Sequence, residues 1–422
     1  MAEHLFRHEA GKLVSVLTKM FGTERLQLAE DVVQEALIRA MQTWPYYGIP
    51  SNPAAWITQT AKNLALDVIR REKRFREKEP GITASVERQL ENANGSEPLF
   101  FDDEIKDDRL RMMFACCHPL IPEDARVALA LKTLCGLNTA EIANAFLMTE
   151  AAVAKRLTRA RQRIRELRVP FESPLGAELA SRLDGVEKTL YLLFNEGYKA
   201  SSGENLIRAE LCHEAIGLGT LLVNHSAGNR PRTHALLALM LLNAARLPGR
   251  VDGEGQILRL MDQDRLSWDQ GMISRGMVHL GQSASGEELS EYHLQAGIAA
   301  CHCAASDFES TDWSQILALY DQLVELDDSP VIALNRAVAV ANVNGAKAGI
   351  ECVETIPGRE RLDRYYLLYA VLGEFEAQLD HTEAAASHFR KALQFTAVKS
   401  EHSYLLKRLR ACEELSLCVA AP

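Results

Sequence analysis

The sequence predicts an all-α protein in two unequal parts, and three observations carry that reading. The first is residues 137–168, LNTAEIANAFLMTEAAVAKRLTRARQRIRELR. Here Val153, Leu157, Ala160 and Ile164 recur at helical spacing while cations fill the other faces. The second is charge. Residues 1–169 hold 25 Lys+Arg against 23 Asp+Glu, whereas residues 170–422 hold 22 against 34, so an almost neutral part precedes an acidic one. The third is a repeat near the C-terminus, where two helix–turn–helix units place Gly345 and His381 36 residues apart.

Composition bounds the rest. A chain of 422 residues implies two to four domains. At 47% hydrophobic and 25% charged it has ample material for a core. No stretch approaches the apolar length needed to cross a bilayer, and the N-terminus lacks a basic-then-apolar signal pattern. A cytoplasmic protein with no membrane association is therefore expected. Nine cysteines, an odd count without a C-x-x-C pair, fit reduced thiols. Cys116-Cys117-His118 and Cys301-His302-Cys303 lack common zinc spacing, so core packing is expected and no metal site. The net charge of −10 does not exclude nucleic acid, because binding depends on local basic faces.

In chain order, residues 4–43 read as helices. In LQLAEDVVQEALIRAMQTW, Val32, Ala36 and Ala40 with Val33, Leu37 and Met41 form an apolar stripe, and Glu30, Asp31, Gln34, Glu35 and Arg39 lie mostly elsewhere. PYYGIPSNP (45–53) reads as a loop, and a helix is predicted from Pro53 with Asn52 as its cap. Trp56, Thr60, Asn63, Asp67 and Arg70 follow at helical spacing toward a basic end at Arg70, Arg71, Lys73, Arg74, Arg76 and Lys78. Such a helix can hold separated bases and their phosphates, although a solvated surface helix has the same pattern. Residues 79–106 read as an acidic linker with a short helix at 84–92. Helices are then expected at Asp108 to Cys116 and Pro122 to Cys135, with Gly136 as a cap. The pair at 139–146 and from Glu150, the latter capped by Thr149, has the form of a helix-turn-helix. A helical hairpin with a solvated basic face is the plain alternative.

DVVQEAL, NPAAWITQTAKNLALDVIRREKR and TAEIANAFLMTEAAVAKRLTRARQRI together resemble the extracytoplasmic-function group of sigma-70 family transcription initiation factors. The first two resemble its region 2 and the third its region 4; at Leu147 the turn departs from the usual glycine. The resemblance implies region 2 over 1–78, a linker over 79–106 and region 4 over 107–169. It also implies two partners, core RNA polymerase and promoter DNA. Polymerase would be met through Asp31, Gln34 and Glu35. The minus-10 element would be opened by Trp56, Asn63, Asp67, Arg70, Arg71 and Arg74. The minus-35 element would be read by Thr149, Glu150, Ala152, Lys155, Arg156, Arg159, Arg161 and Arg163.

Residues 170–422 read as an acidic helical domain, with EKTLYLLFNEGYKASSG (187–203) as a buried helix ending at a glycine turn. Further helices are expected at 204–223, 231–246 and 255–263. From about residue 313 the helix pairs look like tetratricopeptide repeats, which commonly bind a peptide or partner domain. The whole arrangement resembles a subgroup of these sigma factors with such a domain fused in cis. That domain would modulate activity by masking or by assistance, and its length favours assistance. No enzyme and no cofactor is expected: Glu210-Leu211-Cys212-His213 is a lone Glu-x-x-His unit, and no P-loop, His-Glu-x-x-His or dinucleotide fingerprint occurs. The rival reading is a polymerase-independent helix-turn-helix regulator with a helical-repeat sensor domain.

Overall fold

A computed structural model describes residues 2–76, 107–169, 171, 177–201, 206–396 and 398–420. The linker 79–106, with its expected helix at 84–92, lies outside these residues. The described residues are largely helical, joined by turns and by isolated bridges such as that of Val251 with Ile257, and they divide into two compact units. One comprises residues 1–193 with 221–228; the other comprises 194–220 with 229–422.

The first unit contains α1 (Ala2–Phe21), α2 (Leu26–Tyr47), α3 (Pro53–Arg76), α4 (Asp108–Cys116), α5 (Glu123–Thr133), α6 (Thr139–Ala145) and α7 (Glu150–Leu167). Helix α2 buries Leu26, Ala29, Val32, Val33, Ala36 and Ala40, and α3 buries Ile57, Ala61, Ala65 and Ile69. The spacing of these residues is one helical stripe per element, which is why the two helices pair. Helix α2 continues through Pro45 to Tyr47, so the loop expected from residue 45 begins at Gly48. A proline in a last turn removes one hydrogen bond at the frayed end, where the loss is small. Gly11 on α1 sits where a Cβ would lie 2.0 Å from the Leu134 carbonyl oxygen, so only glycine permits that approach.

The unit extends past the boundary expected at 169. Helix α8 (Ala177–Tyr198) begins within it, and its Arg182 is 1% exposed and donates to the Phe114 carbonyl at 3.0 Å. Cys116 and Cys117 are fully buried here; burial raises both thiols, Cys117 to about 12. They behave as neutral core side chains.

The second unit continues from α8 through α9 (Ala209–Val223), α10 (Pro231–Ala244), α11 (Gln270–Ser283), α12 (Glu291–Ala304) and α13 (Trp313–Leu326). The helix expected at 255–263 is absent. Val251 pairs with Ile257 across a turn in which the Asp252 carboxylate accepts the N–H groups of Glu254 and Gln256, and Leu260–Asp262 forms one 3-10 turn. Gly253 and Gly255, the latter at φ 79°, favour that turn over a helix.

Two helical hairpins follow: α14 (Pro330–Asn344) with α15 (Ala346–Glu354), and α16 (Tyr366–Gln378) with α17 (Thr382–Leu393). Gly345 turns the first at φ 90° and Asp380 the second at φ 59°. One core joins both hairpins, through Ala337, Ala341, Gly349, Phe375, Ala385 and Phe389, to α18 (Lys399–Ala420). Small residues let the helices approach and the two phenylalanines fill the gap: a Cβ on Gly349 would meet Phe375, and one on Gly373 would meet Phe389.

Candidate nucleic-acid interface

Three surfaces of the first unit carry the expected functional residues. On α2, the face opposite the core exposes Asp31, Gln34, Glu35 and Arg39. Gln27 Nε2 donates to Asp31 at 2.8 Å, and Arg39 pairs with Glu35 at 2.9 Å. These exposed pairs contribute little to stability, so the face is available for other contacts. It also borders a groove of about 580 Å³. Gln27, Asp31, Gln34 and Met41 line one side, and Lys132 and Gly136 stand across it.

On α3, Asn63, Asp67 and Arg70 are exposed at spacings of four and three, opposite the buried Ile57–Ile69 stripe, and Arg71 is exposed beside them. Asn52 caps the helix, its Oδ1 accepting the Ala55 N–H at 3.0 Å. Gln59 Nε2 donates to Asn63 at 2.9 Å, and Arg70 lies 3.7 Å from Asp67. Trp56 is half-buried and meets Trp44 edge-on, with ring centroids 5.6 Å apart. That contact fixes the start of α3 on the end of α2. Arg74 falls within α3, but its side chain lies outside the described residues.

Tyr46 and Tyr47 are not among the residues that the sequence singles out. They end α2 and are 84% and 86% exposed, with Ile49 70% exposed next to them. Solvent-exposed aromatic rings are of the kind that can stack on unpaired bases.

The third surface is the helix-turn-helix. Asn138 and Glu141 form a capping box that starts α6. Thr149 caps α7, accepting the Ala152 N–H at 3.3 Å. Val153, Leu157, Ala160 and Ile164 are all buried, as their spacing required. The turn closes through Leu147, held at φ 51° in the left-handed region where glycine is favoured. Leu147→Ile is expected to destabilise this unit by about 1 kcal/mol, because a β-branched residue tolerates that region poorly. Leu147→Gly should leave the midpoint equal or higher. Thermal denaturation of the two variants checks the order.

Along α7, Thr149, Glu150, Lys155 and Arg159 are exposed and Ala152 is half-buried. Arg156 pairs with Asp124 at 2.6 Å, and Arg163 with Glu166 at 3.3 Å. Both pairs reach solvent and can exchange for phosphate. Arg161 is held differently. Its Nε and Nη2 donate to the two carboxylate oxygens of Glu30 on α2, at 2.9 and 3.2 Å, and Thr133 Oγ1 donates to the same carboxylate at 2.6 Å. Glu30 is 8% exposed, so in this arrangement the arginine is clasped to another helix, with its side chain 20% exposed. No local pattern in the sequence joins residues 131 positions apart.

Residues 5–75 match sigma-70 region 2, residues 111–164 match sigma-70 region 4, and residues 182–284 match a family of unknown function (DUF6596). The chain is 38% identical over 386 residues to "Uncharacterized protein R00370" of Rhizobium meliloti, covering 91% of this chain and 90% of the relative. It is 28% identical over 143 residues to "Probable RNA polymerase sigma factor RfaY" of Xanthomonas campestris pv. campestris, covering 34% of each. The two matched regions coincide with the helices that carry the three surfaces. Among the described residues no helix is long and apolar enough to cross a membrane.

Proposed function

We propose that the chain is a sigma-70 family sigma factor of the extracytoplasmic-function group, which binds core RNA polymerase and directs initiation at a class of promoters. The observation that carries this reading is the separation of two nucleic-acid surfaces on one unit. A polar face with exposed tyrosines on α2–α3 suits single strands, and the basic α7 suits duplex DNA. A duplex-binding regulator has use only for the second.

In the proposed mechanism, Asp31, Gln34 and Glu35 dock on core polymerase. The start of α7, from Thr149 to Lys155 with Arg156 and Arg159, enters the major groove at the minus-35 element. The face of Asn63, Asp67, Arg70 and Arg71, with Trp56 behind it and Tyr46 and Tyr47 beside it, receives the opened minus-10 strand. The fused acidic domain modulates this activity through its tetratricopeptide-like hairpins, where a peptide or partner domain would bind.

Core binding is tested by titrating labelled full-length chain with purified core polymerase. Asp31→Lys combined with Glu35→Lys is expected to weaken association tenfold or more without changing the circular dichroism spectrum, since both side chains are exposed. Equal affinity of the variant and the parent would remove α2 as the docking face.

A further inference from the structure

The second unit holds one buried and one half-buried arginine, Arg265 and Arg246, that form no ion pair among the described residues. Arg246 follows α10, Arg265 opens a 3-10 turn at Arg265–Ser267, Trp268 follows it, and His302 lies on α12. Trp268 is 3% exposed, Arg265 7% and His302 8%. The guanidinium carbons of Arg246 and Arg265 each lie 5.1 Å from the centre of the Trp268 ring, so two positive charges share one indole. Like charges this close repel, and stacking on a single ring does not offset burial of both.

Their hydrogen bonds make the imbalance plainer. Arg265 anchors its outer nitrogens on the chain: Nη1 donates to the carbonyls of His302 (2.7 Å) and Ala305 (3.1 Å), and Nη2 to Thr311 Oγ1 (2.7 Å). All three acceptors are neutral. Arg265 Nε, Arg246 Nε, Trp268 Nε1 and His302 Nδ1 are buried without a hydrogen-bond partner. Among the described residues neither arginine forms an ion pair. The acids near Arg265 are Asp307 and Glu309, both exposed, and Asp307 is occupied by Ser306 and Ser310. Burial, reinforced by the two guanidinium groups, pushes His302 down to about 3, so it is neutral near pH 7 and, with its proton on Nδ1, becomes another donor.

Buried donors gathered around unneutralised charge are the inverse of an anion. We propose that Arg246, Arg265, Trp268 and His302 form a binding site for the oxyanion of a small molecule, a phosphate or carboxylate group. Arg246 is half-buried, its side chain has no hydrogen bond to the described residues, and it offers its planar fork at the rim. The burial of the other three admits only a small group. Gly249 keeps the indole N–H clear, since a Cβ there would lie 2.8 Å from Trp268 Nε1 and 3.0 Å from Ser267 Oγ.

The test is thermal denaturation and calorimetric titration of the full-length chain with inorganic phosphate and, separately, acetate, at constant ionic strength and pH 7.5. A saturable rise in midpoint with one or both is expected, growing logarithmically with concentration above the dissociation constant. Preference for phosphate identifies a phosphate ester as ligand class; preference for acetate identifies an organic acid. Arg246→Gln should weaken binding tenfold or more. Arg246→Lys, which keeps the charge and loses the fork, should also weaken it and covers the case in which the glutamine variant does not fold. Gly249→Ala should lower affinity without loss of helicity. No saturable effect of either anion, or equal binding by the folded Arg246 variants, would overturn the site.

Discussion

Glu30→Ala is expected to destabilise the first unit by about 3 kcal/mol, although its side chain lies on the surface of α2 nearest α7 and fills no apolar core. The carboxylate accepts from three donors, two on Arg161 and one on Thr133. Removing one partner of a buried ion pair leaves the other charge desolvated and uncompensated. Arg161 is 20% exposed in its side chain, so some water reaches the gap and the cost falls at the lower end of that range. Arg161→Met should cost a similar amount, and the double variant much less than the sum, because the two losses are one interaction. Urea denaturation of the four chains measures it, and additive effects would show that the pair is not coupled.

The same clasp bears on the proposed function. Promoter elements near minus-10 and minus-35 lie about 25 base pairs apart, roughly 85 Å along B-form DNA at about 3.4 Å per step. A compact unit of about two hundred residues has a radius of gyration of roughly 16 Å. On the proposed function, the described residues of this unit as arranged here could not hold both elements at once, so engaging both would require α2 to part from α7. Loss of the Glu30 carboxylate should then favour the parted state and free Arg161 for phosphate.

The second large effect is expected at α3. Asn63→Ala combined with Arg70→Ala should lower initiation from a duplex promoter by about a hundredfold, taking contacts to unpaired bases and phosphates at about 1–3 kcal/mol each. Neither side chain is buried, so stability should be unchanged. The decisive control is a template whose minus-10 segment is mismatched and already open. Activity there should recover in large part, and permanganate reactivity of the duplex template should show the parent opening the strand while the variant does not. A variant equally impaired on both templates would place these residues outside strand opening.

Much of the fold was legible because its signals are local. The stripe of Val153, Leu157, Ala160 and Ile164 named its buried face, Thr149 and Asn52 named their helix starts, and Gly345 named a turn. Each acts within one or two helical turns, the range over which spacing and capping work. The failures are of two kinds. At 255–263 a helix is expected, but Gly255 and the Asp252 carboxylate stabilise a turn and bridge there. The longer-range failures concern partners. Arg161 is on the face that periodicity assigned to solvent, yet Glu30 reaches it from another helix. The gathering of Arg246, Arg265 and His302 around Trp268 likewise depends on how loops and helices pack, which no spacing records.

The most direct measurement is run-off transcription with purified core polymerase and the full-length chain, on a promoter selected from a random-sequence library by that same holoenzyme. The sigma-factor account predicts transcripts from a defined start site only when both core and this chain are present, with minus-10 and minus-35 sequences enriched upstream. Absence of core-dependent initiation, together with equally tight binding of the chain to the same duplexes without polymerase, would contradict it.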